Sequence, residues 1–188
     1  MKNIENVTTE PLKEHKFIHP LKINYTQSGK QKQWEAVRSH DSVAVLLYHR
    51  EKECFLLVKQ FRPPVYINNK ENGFTYELCA GILDKKVSQV QTVQEEIDEE
   101  CGFSVDIEKI EKITSFYTSV GFTGARQSLY YAEIDDSMKI HDGGGIHDEE
   151  IELFFLPIKE AKVFAIDESI PKTSGLMFAF YWFFDVKI

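Results

Sequence analysis

The chain has 188 residues, with 22 Lys plus Arg against 30 Asp plus Glu and a formal net charge of -8. Such acidity argues against a nucleic-acid binder, which needs a basic surface to meet phosphates. The 43% hydrophobic fraction is ordinary for a single globular chain with a proper core. The longest apolar run, Leu176 to Phe184, falls well short of the ~20 residues needed to span a bilayer, so no membrane partner is expected.

The N-terminus, MKNIENVTTEPLKEHKF, has no apolar core of the kind a signal peptide carries. Cys54, Cys79 and Cys101 are odd in number and each lies in an apolar context. They read as buried free thiols, which fits a cytoplasmic location.

In chain order, residues 1–40 read as an extension and 41–188 as the main domain. Leu21 to Gln27 alternates apolar and polar, the period of a half-buried strand, and a turn at Ser28-Gly29-Lys30 leads to a second strand, Gln31 to Val37. A lone two-stranded hairpin is marginal, so this one is expected to pack on the main body or on another subunit. Ser42 to Tyr48 and Cys54 to Gln60 are continuous apolar runs and read as central strands of a mixed sheet. Pro63 and Pro64 end the second run. Asn68 to Gly73 reads as a loop, and Phe74 to Ala80 as a strand running into Gly81. Short strands are expected at Val105 to Ile107 and Ile113 to Tyr117, then Gln127 to Ile134 and Ile151 to Leu156. The polar Asp135 to Glu150 segment, with Gly143-Gly144-Gly145, reads as a mobile loop. Lys159 to Phe164 opens a helix, and a last helix runs from Thr173-Ser174 to about Phe184. The fold class is α+β, a mixed sheet between helices with an N-terminal β-hairpin.

Gly81 to Phe103, GILDKKVSQVQTVQEEIDEECGF, organises the rest. On a helical period Val90, Val93, Ile97 and Cys101 form one apolar stripe. Glu96, Glu99 and Glu100 share an adjacent stripe, where like charges repel by about 0.2–0.5 kcal/mol per pair. A hard divalent cation turns that repulsion into attraction, because Mg²⁺ takes carboxylate oxygens and keeps several waters. Gly102 suits a left-handed residue just past the helix end. A solvated charged face is the competing reading of the three acids. His40, His49, His141 and His147 are scattered, form no zinc-binding pair and read as surface histidines. A carboxylate trio with an acidic loop, Asp148-Glu149-Glu150, suits metal-assisted hydrolysis of a diphosphate.

The spacing of this stretch resembles the Nudix box: Gly, five residues, Glu, seven residues, then Arg-Glu-apolar-any-Glu-Glu-any-Gly-apolar. Gly81, Glu96, Ile97, Glu99, Glu100, Gly102 and Phe103 fall in register. Val87 stands where the box has its first Glu, and Glu95 where it has Arg. The segments LLVKQFRPPVY, ELCAGILD, TSVGFTGARQSLYYAE and GGGIHDEEIEL resemble the animal UDP-sugar pyrophosphatase branch, which is related to ADP-ribose pyrophosphatases. The resemblance implies a Nudix fold and Mg²⁺-dependent hydrolysis of UDP-glucose to UMP and glucose 1-phosphate, with Mn²⁺ as the alternative ion. It implies metal ligation by Glu96, Glu100 and the Ala80 carbonyl, and catalytic roles for Glu99 and for the loop carboxylate Glu149, with Asp148 and Glu150 as alternates. Arg62 and Glu77 are carried as substrate-binding residues, the other reading being that they simply pair with each other. A homodimer is implied too, its N-terminal strands exchanged between subunits. The alternatives are an ADP-ribose pyrophosphatase, or a catalytically weak nucleotide-sugar binding protein, because Glu95 should repel Glu96 where the box arginine orients it. If another cation takes over that role, Arg126 and Lys112 are the candidates.

Overall fold

The computed structural model describes residues 4–14, 18–70 and 72–188; the rest of the polar N-terminal arm, and Glu71 of the predicted Asn68–Gly73 loop, lie outside the described residues. The N-terminal hairpin comprises β1 (His19–Gln27) and β2 (Lys30–Arg38), which form a two-stranded antiparallel sheet of their own. Ser28 and Gly29 both take positive φ at its tip, the turn geometry whose twist matches the flanking strands. The hairpin is tied to the body by the Trp34 Nε1–H donating to the Gly121 carbonyl at 2.8 Å and the Val37 N–H donating to Phe122 at 2.7 Å.

The apolar runs become β3 (Ser42–His49) and β4 (Cys54–Phe61). β3 pairs in parallel with β8 (Arg126–Ile134), which has β7 (Glu111–Tyr117) on its far side. Val43, Val45 and Leu47 enter one core and Ala44 and Leu46 the other. Burial on both faces is why these runs lack polar alternation. Helix α2 (Gln89–Glu96) covers the first face, while α3 (Ala161–Ile166) and α4 (Ser174–Val186) cover the second through Ala161, Phe164, Leu176 and Phe180. The expected sheet between helices is present.

A fork in the sheet creates the site. β4 stays beside β3 only where Leu47–His49 face Cys54–Leu56, and its other edge pairs with β9 (Glu152–Pro157). The chain from Phe74 fills the gap, so the single strand expected there is two. β5 (Phe74–Glu77) pairs with β4, and after Leu78 the backbone changes partner and β6 (Cys79–Ile82) pairs with β3. Two other expectations need correction. The prolines that end β4 also open a short helix, α1 (Pro63–Asn68), because the first helical positions do not need an N–H. Val105–Ile107 forms no strand; Ile107–Lys109 is a 3₁₀ turn. Cys54, Cys79 and Cys101 are buried free thiols, and no helix among the described residues is long and apolar enough to cross a membrane.

Candidate active site

Register aims the backbone of Ala80. The Leu83 N–H donates to the Asp41 carbonyl at 2.8 Å, and Ala80 lies opposite Ala44 three pairs further on. Hydrogen-bonded and non-hydrogen-bonded pairs alternate in an antiparallel ladder, so Ala80 occupies a non-bonded pair. Its N–H and C=O therefore face away from β3. The N–H donates to Glu100 Oε2 at 3.0 Å.

Helix α2 starts at a capping box in which the Ser88 hydroxyl accepts from the Gln91 N–H and the Gln91 side chain accepts from the Ser88 N–H. After Glu96 the coil widens into a π-helical turn, Ile97–Cys101, closed by Gly102 at φ 75°. The 3.6-residue wheel therefore fails just where the acids lie. Glu100 turns inward and is 5% exposed, while Glu96 and Glu99 are half-buried. π turns of this kind recur at functional sites.

The carbonyls at the end of this turn have no partner further along a helix. Glu100 O accepts from the Gly144 N–H at 2.8 Å, and Glu99 O from the Gly145 N–H at 3.1 Å. The segment expected to be a mobile loop is thus docked on the π turn. A Cβ on Gly143 would come within 2.4 Å of Glu100 O, so only glycine permits this approach. The Glu149 carboxylate accepts from the Ile146 N–H at 3.0 Å.

Glu96 lies against Gly81, where an added Cβ would stand 1.8 Å from Glu96 Oε1. Burial, then the charges of Glu99 and Glu149, push its carboxyl up to about 7. Burial pushes Glu100 up to about 8, against the Ala80 N–H and the Cys79 thiol, which favour its ionised form. Glu96, Glu99, Glu100 and Glu149 therefore share one electrostatic neighbourhood. Among the described residues no three His, Cys, Asp or Glu side chains form a closed metal cage. Two carboxylates and a backbone carbonyl remain, a donor set of the oxygen chemistry Mg²⁺ takes while keeping its waters.

A NUDIX domain matches residues 38–174. The chain belongs to the Nudix family. It is 35% identical to "Uridine diphosphate glucose pyrophosphatase NUDT14" of Bos taurus, with 98% of this chain and 96% of that one covered. The Mus musculus protein of the same name is 32% identical over the same shares. "GDP-mannose pyrophosphatase" of Cronobacter sakazakii is 37% identical, covering 85% of this chain and 84% of its own. The protein is a Nudix hydrolase.

At the altered position of this Nudix box, the charge of Glu95 raises the Glu96 carboxyl as expected, but only as a smaller cause, because Glu95 is itself paired. Its Oε2 lies 2.7 Å from Lys85 Nζ, in the loop between β6 and α2. The Lys85 ammonium is held up by Glu95 and also feels Glu99 and Glu96, and it in turn lowers the Glu96 carboxyl. Lys112 instead donates to Gln89 Oε1 at 3.2 Å and lies over the Tyr130 ring. Lys85, missed in the sequence, is the cation beside the acids. A basic residue in the loop before a box helix that has lost its arginine was the available signal.

The Nudix site is bordered by a second paired cation. Arg62 Nε and Nη2 bond both Glu77 oxygens at 2.7 Å, and the Thr75 hydroxyl donates to Oε1. This is the pairing that the sequence left as one of two readings. Glu77 holds the guanidinium ionised first, with Glu100 and Glu149 adding smaller effects, so the pair borders the acid cluster. His49 departs from the surface reading, whereas His141 is on the surface as expected but is bonded at both ring nitrogens. His49 is fully buried and contacts Asp136 at 3.1 Å. His141 Nε2 bonds Asp98 Oδ1 at 2.7 Å while its Nδ1 accepts from the Gly143 N–H at 3.0 Å, clipping the glycine loop to the π turn.

Two cavities share lining residues with this region. One of about 320 Å³ is lined by Glu77, Ala80, Thr118, Gln127, Thr173 and Ser174 among others. Another, about 420 Å³, reaches from Gly144 and Glu149 to Lys59, Phe61 and Phe74.

Proposed function

We propose that this Nudix hydrolase cleaves the diphosphate of a nucleoside diphosphate sugar in a Mg²⁺-dependent reaction, with UDP-glucose the first substrate. Water and UDP-glucose would give UMP and glucose 1-phosphate. The observation that carries the reading is the carboxylate pair Glu96 and Glu100 against Gly81 and Ala80, Glu96 pushed to about 7 by burial and the charges of Glu99 and Glu149, and Glu100 to about 8 by burial and the charge of Glu96. Such a pair calls for a cation. Glu96, Glu100 and the Ala80 carbonyl would hold Mg²⁺, with Mn²⁺ the alternative; when bound, it supplies charge neutralisation at phosphoryl oxygens and acidifies a water. Glu149, on the docked loop, accepts a proton from the attacking water, with Glu99 as the second carboxylate beside it. Arg62, held flat by Glu77, offers its remaining donors to the diphosphate.

The names of the relatives support a nucleotide sugar and make GDP-mannose the second substrate to assay. The Lys85–Glu95 pair weighs against a site disabled by the loss of the box arginine. A homodimer belongs to the same proposal, since Ile23, Tyr25 and Trp34 on the two-stranded hairpin are 43%, 36% and 52% exposed. The test is release of UMP from UDP-glucose with and without Mg²⁺, beside GDP-mannose, ADP-ribose and Glu100→Gln, with light scattering for the dimer. Metal-dependent release lost in the variant is the expected result. Release from ADP-ribose alone, or from none of the three, overturns the proposal.

A further inference from the structure

Apart from Glu149 itself, the cavity of about 420 Å³ beside Glu149 is lined by side chains that the diphosphate chemistry does not use. Its floor is the paired ends of β4 and β5, where Phe61 lies opposite Phe74 and Lys59 opposite Tyr76. Its rim carries Glu149, Glu150 and Glu152. The Lys59 side chain is only 13% exposed, and its ammonium lies 5.9 Å from the Phe74 ring centroid and 5.3 Å from that of Tyr76. Its ion pair with Glu152 spans 3.9 Å, beyond hydrogen-bond length, which leaves ammonium donors to turn toward a ligand.

Three features define what fits. Three carboxylates against one ammonium make the cavity acidic, so it disfavours a second phosphate. The Phe61 and Phe74 rings are 5.5 Å apart and tilted by 57°. A base inserted between two rings needs about 7 Å, twice a van der Waals contact, so these rings present one apolar face and no slot. Carboxylate acceptors, ammonium donors and an apolar face together suit a neutral, polyhydroxylated ring, whose hydroxyls take the charged groups and whose C–H face lies on the aromatics.

We propose that this cavity is the subsite for the sugar half of the substrate, with Lys59 and Glu152 as specificity-determining residues that bond its hydroxyls. The inference rests on the functional reading above and specifies it. The location agrees, because Glu149 lines the cavity and its charge is also felt at Glu96 and Glu100. A diphosphate over the acids would then project its sugar along the loop toward Lys59.

The experiment compares UDP-glucose with the methyl diphosphate ester of uridine, which keeps base and diphosphate and has no sugar. Wild type should prefer UDP-glucose, and Lys59→Met should cut that preference about tenfold, through KM with kcat little changed, as expected when a charged hydrogen bond to substrate is lost. Glu152→Gln, at a half-exposed side chain that folding tolerates, should cut it about threefold, and both variants should cleave the methyl ester as wild type does. An undiminished preference in both variants, or an equal loss on both substrates, overturns the subsite. Cleavage of neither substrate by wild type overturns the functional reading itself, a distinct outcome.

Discussion

Replacing Glu95 with arginine restores the family's box, yet the structure expects it to harm this protein. Glu95 is the anchor of Lys85 at 2.7 Å, with the two side chains 37% and 49% exposed. A half-exposed pair contributes about 0.2–1 kcal/mol, and Glu95→Arg exchanges that attraction for repulsion. Lys85 then leaves the acids and withdraws its favourable influence on the Glu96 carboxylate, which is larger than the Glu95 repulsion that the substitution also removes. A unit charge at 4 Å in water is worth about 1 kcal/mol, which sets the scale of this second effect. Together they predict about a fivefold loss of kcat/KM at limiting Mg²⁺, shrinking toward wild type when Mg²⁺ saturates. Mg²⁺ titrations of initial rate on wild type, Glu95→Arg, Lys85→Glu and the double variant measure this. The double variant re-forms the ion pair with the charges exchanged but leaves no cation at position 85, so it should recover only part of the loss. If Glu95→Arg instead raises turnover at every Mg²⁺ concentration, Lys85 has no part in organising the acids and the reasoning is wrong.

Gly81→Ala places a methyl group 1.8 Å from Glu96 Oε1, so Glu96 must move, and a displacement of that order predicts about a hundredfold loss of kcat with the melting temperature within a few degrees of wild type. Glu100→Gln should lose more activity than the roughly 10–100-fold typical of groups that only support a metal ligand, read in the same assay. Its metal-free form should melt higher than wild type at pH 8, because the variant no longer buries an ionising carboxyl. Both Glu96 and Glu100 titrate above the ordinary value of 4.5, so the unfolded chain ionises first. Stability from keeping them protonated is complete below about pH 4.5 and is lost as pH rises through about 7 to 8. Mg²⁺ should accordingly raise the melting temperature of wild type more at pH 8 than at pH 6, by calorimetry, and an equal rise at both would contradict the shifts.

Features carried by local spacing were legible in the sequence. The period of the Val90, Val93, Ile97 and Cys101 stripe and the glycine at 102 are properties of one segment, and all four apolar side chains pack on the same core. The apolar runs of β3 and β4 declared themselves because both faces are covered. What escaped depends on pairings between distant segments. Phe74–Ile82 reads as one strand until β4 and β3 compete for its two halves. The widening after Glu96 accompanies carbonyls taken by glycine amides more than 40 residues on. Lys85 is separated from Glu95, and His141 from Asp98, by loops whose course no local period dictates.

These pairings also decide how the altered box should be understood. In the linear motif Glu95 looks like the loss of a positive charge next to Glu96. In three dimensions the relevant quantity is whether any cation faces the acids, and Lys85 faces them from the preceding loop. Lys85 can do so because Leu83 is pinned to Asp41 on one side and the Ser88–Gln91 cap fixes the start of α2 on the other, which leaves a short span in which it can reach Glu95. The cation beside the acids stands in the loop and not on the helix, and the carboxylates lie against Gly81 and Ala80. Burial, the largest cause of both shifts, comes with the sheet fork and the π turn, and the charge of Glu95 adds only a smaller push at Glu96.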